Sequence, residues 1–141
     1  YERLGKEKEA VKYYKKISPP DTKISAYIAG YYLKEKQFAE AIKYYQQLVK
    51  LEPRKASSYF SLGYAHSAAG SWDRAIENYL MALKYDREDD EIYANLGVAY
   101  EQKGLYADAL KAYRSAYEIN PQTKVASRIP RLRIQLMKEK K

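Results

Sequence analysis

Residues 93–121 have the sequence YANLGVAYEQKGLYADALKAYRSAYEINP, and a shift of 34 positions places them over a similar stretch, YFSLGYAHSAAGSWDRAIENYLMALKYDR, at residues 59–87. Both stretches contain Tyr-x-x-Leu-Gly, then Gly-x-aromatic-x-x-Ala, then Tyr-x-x-Ala at the same relative positions. A further shift toward the N-terminus finds matching residues at Tyr32, Phe38, Ala41, Tyr45 and Pro53, preceded by a partial copy. A period of this length is typical of solenoids built from repeated helical units.

Each copy contains two amphipathic helical patterns with a turn between them. In the last copy the first pattern has the i, i+3, i+4, i+7 spacing of one helical face, formed by Tyr93, Leu96, Gly97 and Tyr100. A second pattern begins at Tyr106. Gly104 and its equivalent Gly70 favour a helix end between the two patterns, because glycine tolerates positive φ. Pro121 follows the second pattern and favours its termination.

Small side chains recur at equivalent positions of the predicted helix pairs, namely Ala29, Gly63, Gly97, Ala41, Ala75 and Ala109. Two helices approach to about 8–10 Å where side chains at the contact are small. The sequence therefore predicts an all-α stack of antiparallel helix pairs, with helices near 7–17, 23–35, 38–51, 56–69, 72–84, 90–103, 106–118 and 123–139.

These positions resemble the tetratricopeptide repeat (TPR) family, whose repeat of about 34 residues follows W-x2-L-G-x2-Y, A-x3-F and a closing proline. The last copy fits every marked position if tyrosine replaces the tryptophan and the phenylalanine. The copy before it departs at His66 and Arg87. The resemblance implies a right-handed α-solenoid whose first helices line a concave groove, and a protein–protein interaction scaffold that binds an extended peptide or a helix there.

On this basis we expect a single TPR domain over residues 1–141, divided into a partial repeat at 1–21, full repeats at 22–55, 56–89 and 90–123, and a basic capping helix at 124–141. Because Tyr1 falls inside an expected helix, we interpret the chain as a fragment of a longer array. The apolar stripe from Val125 to Leu136 passes through Pro130 without a change of helical phase. This pattern predicts one kinked helix over 123–139.

Positions opposite the core stripe of the first helices form columns along the predicted groove. The candidate groove residues are Tyr27, Gly30, Lys34, Phe60, Tyr64, Asn95, Val98 and Arg128. The aromatic members stand among small residues, which predicts an apolar pocket, and Asn95 is able to donate to and accept from a peptide backbone. The alternative is that Phe60 and Tyr64 only pack between neighbouring helices.

One subclass of the family grips the acidic C-terminal tails of heat-shock chaperones with a clamp of lysine, arginine and asparagine. The corresponding positions here are Ala26, Gly30, Ser61, Glu91 and Asn95, or, one repeat later, Phe60, Tyr64, Asn95, Val125 and Ile129. Only the asparagine fits in either alignment. We therefore expect the chain to lack this clamp.

Catalytic and metal-binding groups are sparse in the sequence. There is no cysteine and one histidine, His66, which stands at a core position without a second ligand at metal-binding spacing. The acids between residues 86 and 91 lack the glycine of a calcium loop and are interpreted as a solvated connection that caps the next helix. We expect no enzyme activity, no metal and no cofactor.

The net charge of +8 lies at the ends of the chain, with +6 in residues 122–141 alone. This leaves two alternatives to a peptide-binding groove. The first is binding of nucleic acid or an acidic surface through the basic C-terminal helix, although we do not expect nucleic acid to be the partner. The second is a self-assembling scaffold, with weak homo-oligomers forming through an N-terminal end whose Val11, Tyr14, Ile17, Ile28 and Tyr32 are expected to be uncovered. The sequence contains no apolar run long enough to cross a membrane.

Overall fold

The computed structural model describes residues 2–16 and 21–140, and these residues form eight helices and no strand. The helices are α1 (Glu2–Tyr14), α2 (Thr22–Lys34), α3 (Phe38–Leu51), α4 (Ala56–Ala68), α5 (Trp72–Tyr85), α6 (Asp90–Gln102), α7 (Tyr106–Ile119) and α8 (Arg128–Glu139). Each contacts mainly its neighbours in the chain, with the most extensive packing inside the pairs α2–α3, α4–α5 and α6–α7. The molecule is a right-handed α-solenoid of antiparallel helix pairs, as predicted.

The turns inside the three helix pairs share one geometry. Gly70 and Gly104 have φ values of 79° and 76°, which confirms the predicted role of these glycines. In each turn the residue after the positive-φ position donates its N–H to a carbonyl five residues earlier, as Leu105 does to Tyr100 at 2.9 Å. This is the Schellman arrangement that satisfies carbonyls at a helix end. The equivalent residue between α2 and α3 is Lys36, which adopts φ 58° without being a glycine.

The small residues permit close contact inside each pair. A Cβ atom built on Gly97 would lie 2.5 Å from Cδ1 of Tyr113, and one built on Gly63 would lie 2.8 Å from the ring of Tyr79. Both tyrosine side chains are fully buried. The tyrosines of the second helices therefore occupy the space that a side chain on the first helix would need, as the small-residue pattern predicts.

The N-terminal end differs from the prediction. Helix α1 begins at Glu2 rather than near residue 7, and it packs on α2. Val11, Ile28 and Tyr32 are consequently buried at 3%, 1% and 9% exposure, so the expectation that they lie uncovered is wrong. Tyr14 is half-buried, and Tyr1 and Ile17 lie outside the described residues. Weak self-association through the N-terminal end stays a prediction. The exposed apolar residues on which it was based are, however, largely buried.

The C-terminal helix also differs. The predicted single kinked helix over 123–139 is wrong, because residues 124–127 form turns and α8 begins at Arg128. Successive i→i+3 hydrogen bonds run through this segment, for example from the N–H of Arg128 to the carbonyl of Val125 at 2.9 Å. Pro130 stands in the first turn of α8, where an amide N–H has no partner within the helix. The proline therefore costs no helical hydrogen bond and needs no kink.

None of these helices has the combination of length and apolarity needed to cross a bilayer, within the part of the chain that the structure describes.

Candidate functional site

The main candidate site is a groove of about 610 Å³ formed by α4, α6 and the turns between α7 and α8. Its lining consists of Phe60, Tyr64, Asp90, Glu91, Ala94, Asn95, Val98, Asn120, Gln122, Thr123, Lys124 and Val125. Four of the predicted groove residues, Phe60, Tyr64, Asn95 and Val98, therefore meet here. The helix repeat brings them together because α4 and α6 present equivalent faces to the same side of the stack.

Aromatic and aliphatic side chains form the apolar part of this groove. The rings of Phe60 and Tyr64 have centroids 6.5 Å apart, and Phe60 also lies 5.7 Å from the buried ring of Tyr79. Phe60 therefore packs partly against its own helix pair, as in the alternative that this residue only packs between helices. Tyr64, by contrast, is 47% exposed. An exposed tyrosine supported by a packed phenylalanine has the character of an interface anchor.

The polar part of the groove lies at the N-terminus of α6. Asp89 caps this helix by accepting a hydrogen bond from the N–H of Glu91 at 2.9 Å. Asn95 donates to the carbonyl of Glu91 at 2.8 Å, so one of the two amide hydrogens that could bind a peptide backbone is already bonded within its own helix. Asn120 donates from Nδ2 to Oδ2 of Asp90 at 3.1 Å and joins the turn after α7 to the start of α6.

The predicted residues of the second repeat lie in a separate, smaller cavity. Tyr27, Gly30 and Lys34 line a volume of about 190 Å³ together with residues of α1 and α2. Tyr27 makes an edge-to-face contact with Tyr14, with ring centroids 5.4 Å apart. The ammonium of Lys34 lies 3.3 Å from Oε1 of Glu7, so this cation pairs with α1.

Arg128 does not line this cavity with Phe60, Tyr64, Asn95 and Val98, and its role in peptide binding stays a prediction. Its Nη1 atom lies 3.3 Å from Oε1 of Glu101, and Tyr113 donates its hydroxyl to the same carboxylate oxygen at 2.7 Å. Burial and the Glu101 carboxylate raise the pKa of Tyr113. The arginine joins α8 to α6 and α7, because α8 starts four residues later than the 34-residue period requires.

The same displacement turns two apolar residues of α8 toward the core. Leu132 is buried in the core with Tyr113 and Val125, and Ile129 packs against that cluster. In their place, Asn120, Gln122, Thr123 and Lys124 close the groove. No signal in the sequence indicated these residues, because they lie in the turns after α7 and not on a first helix of a repeat.

His66 is 7% exposed and packs in α4, and its Nδ1 atom has no hydrogen-bond partner in the described part of the protein. Burial lowers the pKa of this imidazole, and the Arg74 guanidinium lowers it further, while Glu77 opposes them. A neutral buried imidazole fits the predicted packing role. Among the described residues there is no group of three or more histidine, aspartate or glutamate side chains placed to hold a metal ion.

A family model of the tetratricopeptide repeat matches residues 28–83 and again residues 60–123. The two matches together span more than half of the chain, which belongs to the tetratricopeptide repeat family. Members of this family are generally scaffolds without catalytic activity.

Three known proteins are similar to parts of this chain. The human cell division cycle protein 16 homolog is 39% identical over 56 residues, which cover 40% of this chain and 9% of that protein. The TPR domain of Arabidopsis OM64 is 25% identical with a TM-score of 0.75, covering 79% of this chain and 93% of that domain. The first TPR domain of Spaghetti (RPAP3), solved with the HSP90 peptide SRMEEVD, is 17% identical with a TM-score of 0.78, covering 82% and 93%.

Proposed function

We propose that this chain is a protein–protein interaction scaffold whose concave groove binds an extended segment of a partner protein. The observation that carries the proposal is the groove of about 610 Å³ between α4 and α6, with the half-exposed Tyr64 at its surface. Binding energy at protein interfaces is concentrated in a few aromatic and arginine anchors that fit pockets. Tyr64 on a rigid helix offers such an anchor at little cost in side-chain entropy.

The shape of the site favours a peptide over a small molecule. The groove is partly open to solvent, and its lining mixes apolar side chains with amides and charged groups. An extended peptide needs alternating apolar pockets for side chains and polar groups for its backbone. Asn95 retains its carbonyl oxygen and one amide hydrogen for the second purpose, since only one of its N–H groups is bonded to Glu91.

A solved structure of the same fold supports peptide binding as the general function. The Spaghetti domain was solved with a bound HSP90 peptide, and its fold matches that of this chain. The clamp positions for an acidic chaperone tail are nevertheless occupied here by Phe60, Tyr64 and Val125 in one alignment. We therefore propose a partner segment of different chemistry on the same groove.

The test compares two tyrosines of equal exposure on different faces. Tyr64 in the groove is 47% exposed, and Tyr117, which lines a surface cavity between α7 and α8, is 48% exposed. Proteins captured by the immobilised chain from a lysate of the source organism are quantified for the wild type, Tyr64→Ala and Tyr117→Ala. We expect a partner whose recovery falls about tenfold with Tyr64→Ala, which corresponds to the loss of an interface anchor, and is unchanged with Tyr117→Ala. Equal recovery by all three proteins would contradict the proposal.

A further inference from the structure

We infer that the groove selects a partner segment in which a basic side chain lies next to an aromatic or large aliphatic one. This inference rests on the proposed function and gives the chemical class of its ligand. It follows from two neighbouring parts of the groove, one apolar and one acidic, that no sequence motif of the family predicts.

The apolar part is formed by Phe60, Tyr64, Ala94, Val98 and Val125. Ala94 leaves room beside the aromatic rings, since it stands at the position that Phe60 occupies one repeat earlier. Phe60 packs against Tyr79, with ring centroids 5.7 Å apart, and does not fill that room. An aromatic or large aliphatic side chain of the partner fits against this surface and removes it from water.

The acidic part is formed by Asp90 and Glu91 in the first turn of α6. Neither carboxylate forms an ion pair with another described residue, although Asp90 accepts the hydrogen bond from Asn120. Glu91 is exposed, and Asn120 holds Asp90 at the same rim. Lys124 is the one base among the described lining residues, so the carboxylates outnumber it.

This local charge is opposite in sign to that of the chain. The chain as a whole carries +8, yet the groove lining is net acidic. A basic side chain of the partner gains attraction from the two carboxylates, and an acidic one is repelled by them at close range. The groove thus discriminates against the acidic tails that the clamp-bearing relatives of the family bind.

The experiment uses a phage-displayed library of random nonapeptides selected on the full 141-residue chain. A parallel selection on Tyr64→Ala removes sequences that do not depend on the groove. Enriched peptides are then synthesised with a fluorescent label and titrated into the wild type, Glu91→Gln and Glu88→Gln. Glu88 is an exposed acid three residues away that does not line the groove, so its variant reproduces the change in net charge.

We expect Tyr64-dependent peptides enriched in arginine or lysine beside an aromatic or large aliphatic residue. Their affinity should fall about two- to fivefold with Glu91→Gln, as for loss of one exposed ion pair, and remain within error for Glu88→Gln. Tyr64-dependent peptides that are acidic or uncharged, or basic peptides insensitive to Glu91→Gln, would overturn this inference while leaving the proposed function intact. A selection without Tyr64-dependent peptides would count against both.

Discussion

Replacement of Gly97 by alanine tests the close contact on which each helix pair depends. The added Cβ atom would lie 2.5 Å from Cδ1 and 3.1 Å from Cζ of Tyr113. The ring cannot move away easily, because Tyr113 is fully buried and its hydroxyl donates to Glu101 at 2.7 Å. The helices α6 and α7 must therefore separate, or the tyrosine must leave its rotamer.

The magnitude follows from two opposing effects. Forcing an extra methyl group into a packed core costs about 1–3 kcal/mol. Alanine in place of glycine stabilises the helix by up to about 1 kcal/mol because alanine has the higher helix propensity. We expect a net loss of about 1–2 kcal/mol in the free energy of unfolding, which lowers the Tm by roughly 3–8 °C for a chain of this size.

Gly30 provides the matched control, because a Cβ atom built on it meets nothing within 4 Å although it also lies inside a first helix. Gly30→Ala should raise the stability by about 0.5–1 kcal/mol. Thermal and urea unfolding followed by circular dichroism measure both variants. The cost of Gly97→Ala should also shrink when Tyr113 is replaced by leucine, since the two positions are coupled. A Gly97→Ala variant as stable as Gly30→Ala would refute the packing argument.

Three further predictions concern other parts of the molecule. Lys36→Gly should stabilise the protein by about 1 kcal/mol in urea unfolding, because glycine adopts the φ of 58° found there without steric cost, whereas Gly104→Ala should destabilise it. The pKa of His66 is lower in the folded state than the ordinary value of 6.5, so the unfolded state takes up a proton first as the pH falls. The contribution of the neutral His66 to stability is therefore present above pH 6.5 and is lost as the pH falls below that value. His66→Tyr, which installs the residue found at position 100 of the next repeat, should weaken this pH dependence of the Tm, and an unchanged profile would contradict it. Fluorescent single-stranded RNA should bind with a Kd of about 10 µM or weaker at physiological salt, since Arg128 is already paired with Glu101, and tight binding with a steep salt dependence would favour the nucleic-acid alternative.

The sequence predicted the helices from α2 to α7 to within one residue at each end. This accuracy has a local cause, because the signals for each helix end lie within a few residues of it. Gly104 adopts a positive φ that favours a helix end, and Pro121 lacks the backbone N–H that a continuing helix would use. Lys36 shows the limit of such signals. It adopts positive φ because it stands at the position of Gly70 and Gly104 in the repeat, but a lysine by itself does not predict this conformation.

The two ends of the chain could not be predicted in the same way. An apolar stripe through Pro130 is compatible with a kinked helix and equally with a turn followed by a helix, because both bury Val125 and Leu132. For the helices between the two ends, by contrast, the 34-residue period predicted where each helix begins and ends.

The candidate site likewise contains residues that the period predicted and residues that it did not. Phe60, Tyr64, Asn95 and Val98 were found from the period because α4 and α6 are equivalent helices. Lys124 and its neighbours were missed because they lie in a turn whose path depends on the packing of α8. Arg128 was assigned to the groove by extending the period beyond the helices that obey it.

The most direct test of the interaction groove is site-specific photo-crosslinking with p-benzoylphenylalanine. The photoreactive residue is placed at position 64 in the groove or at position 117 between α7 and α8, two sites of nearly equal exposure. We predict that the same partner polypeptide crosslinks from position 64 and not from position 117, and that peptide mapping places the crosslink in one short segment of that partner. Crosslinks only from position 117, or equal crosslinks from both positions, would contradict the central claim.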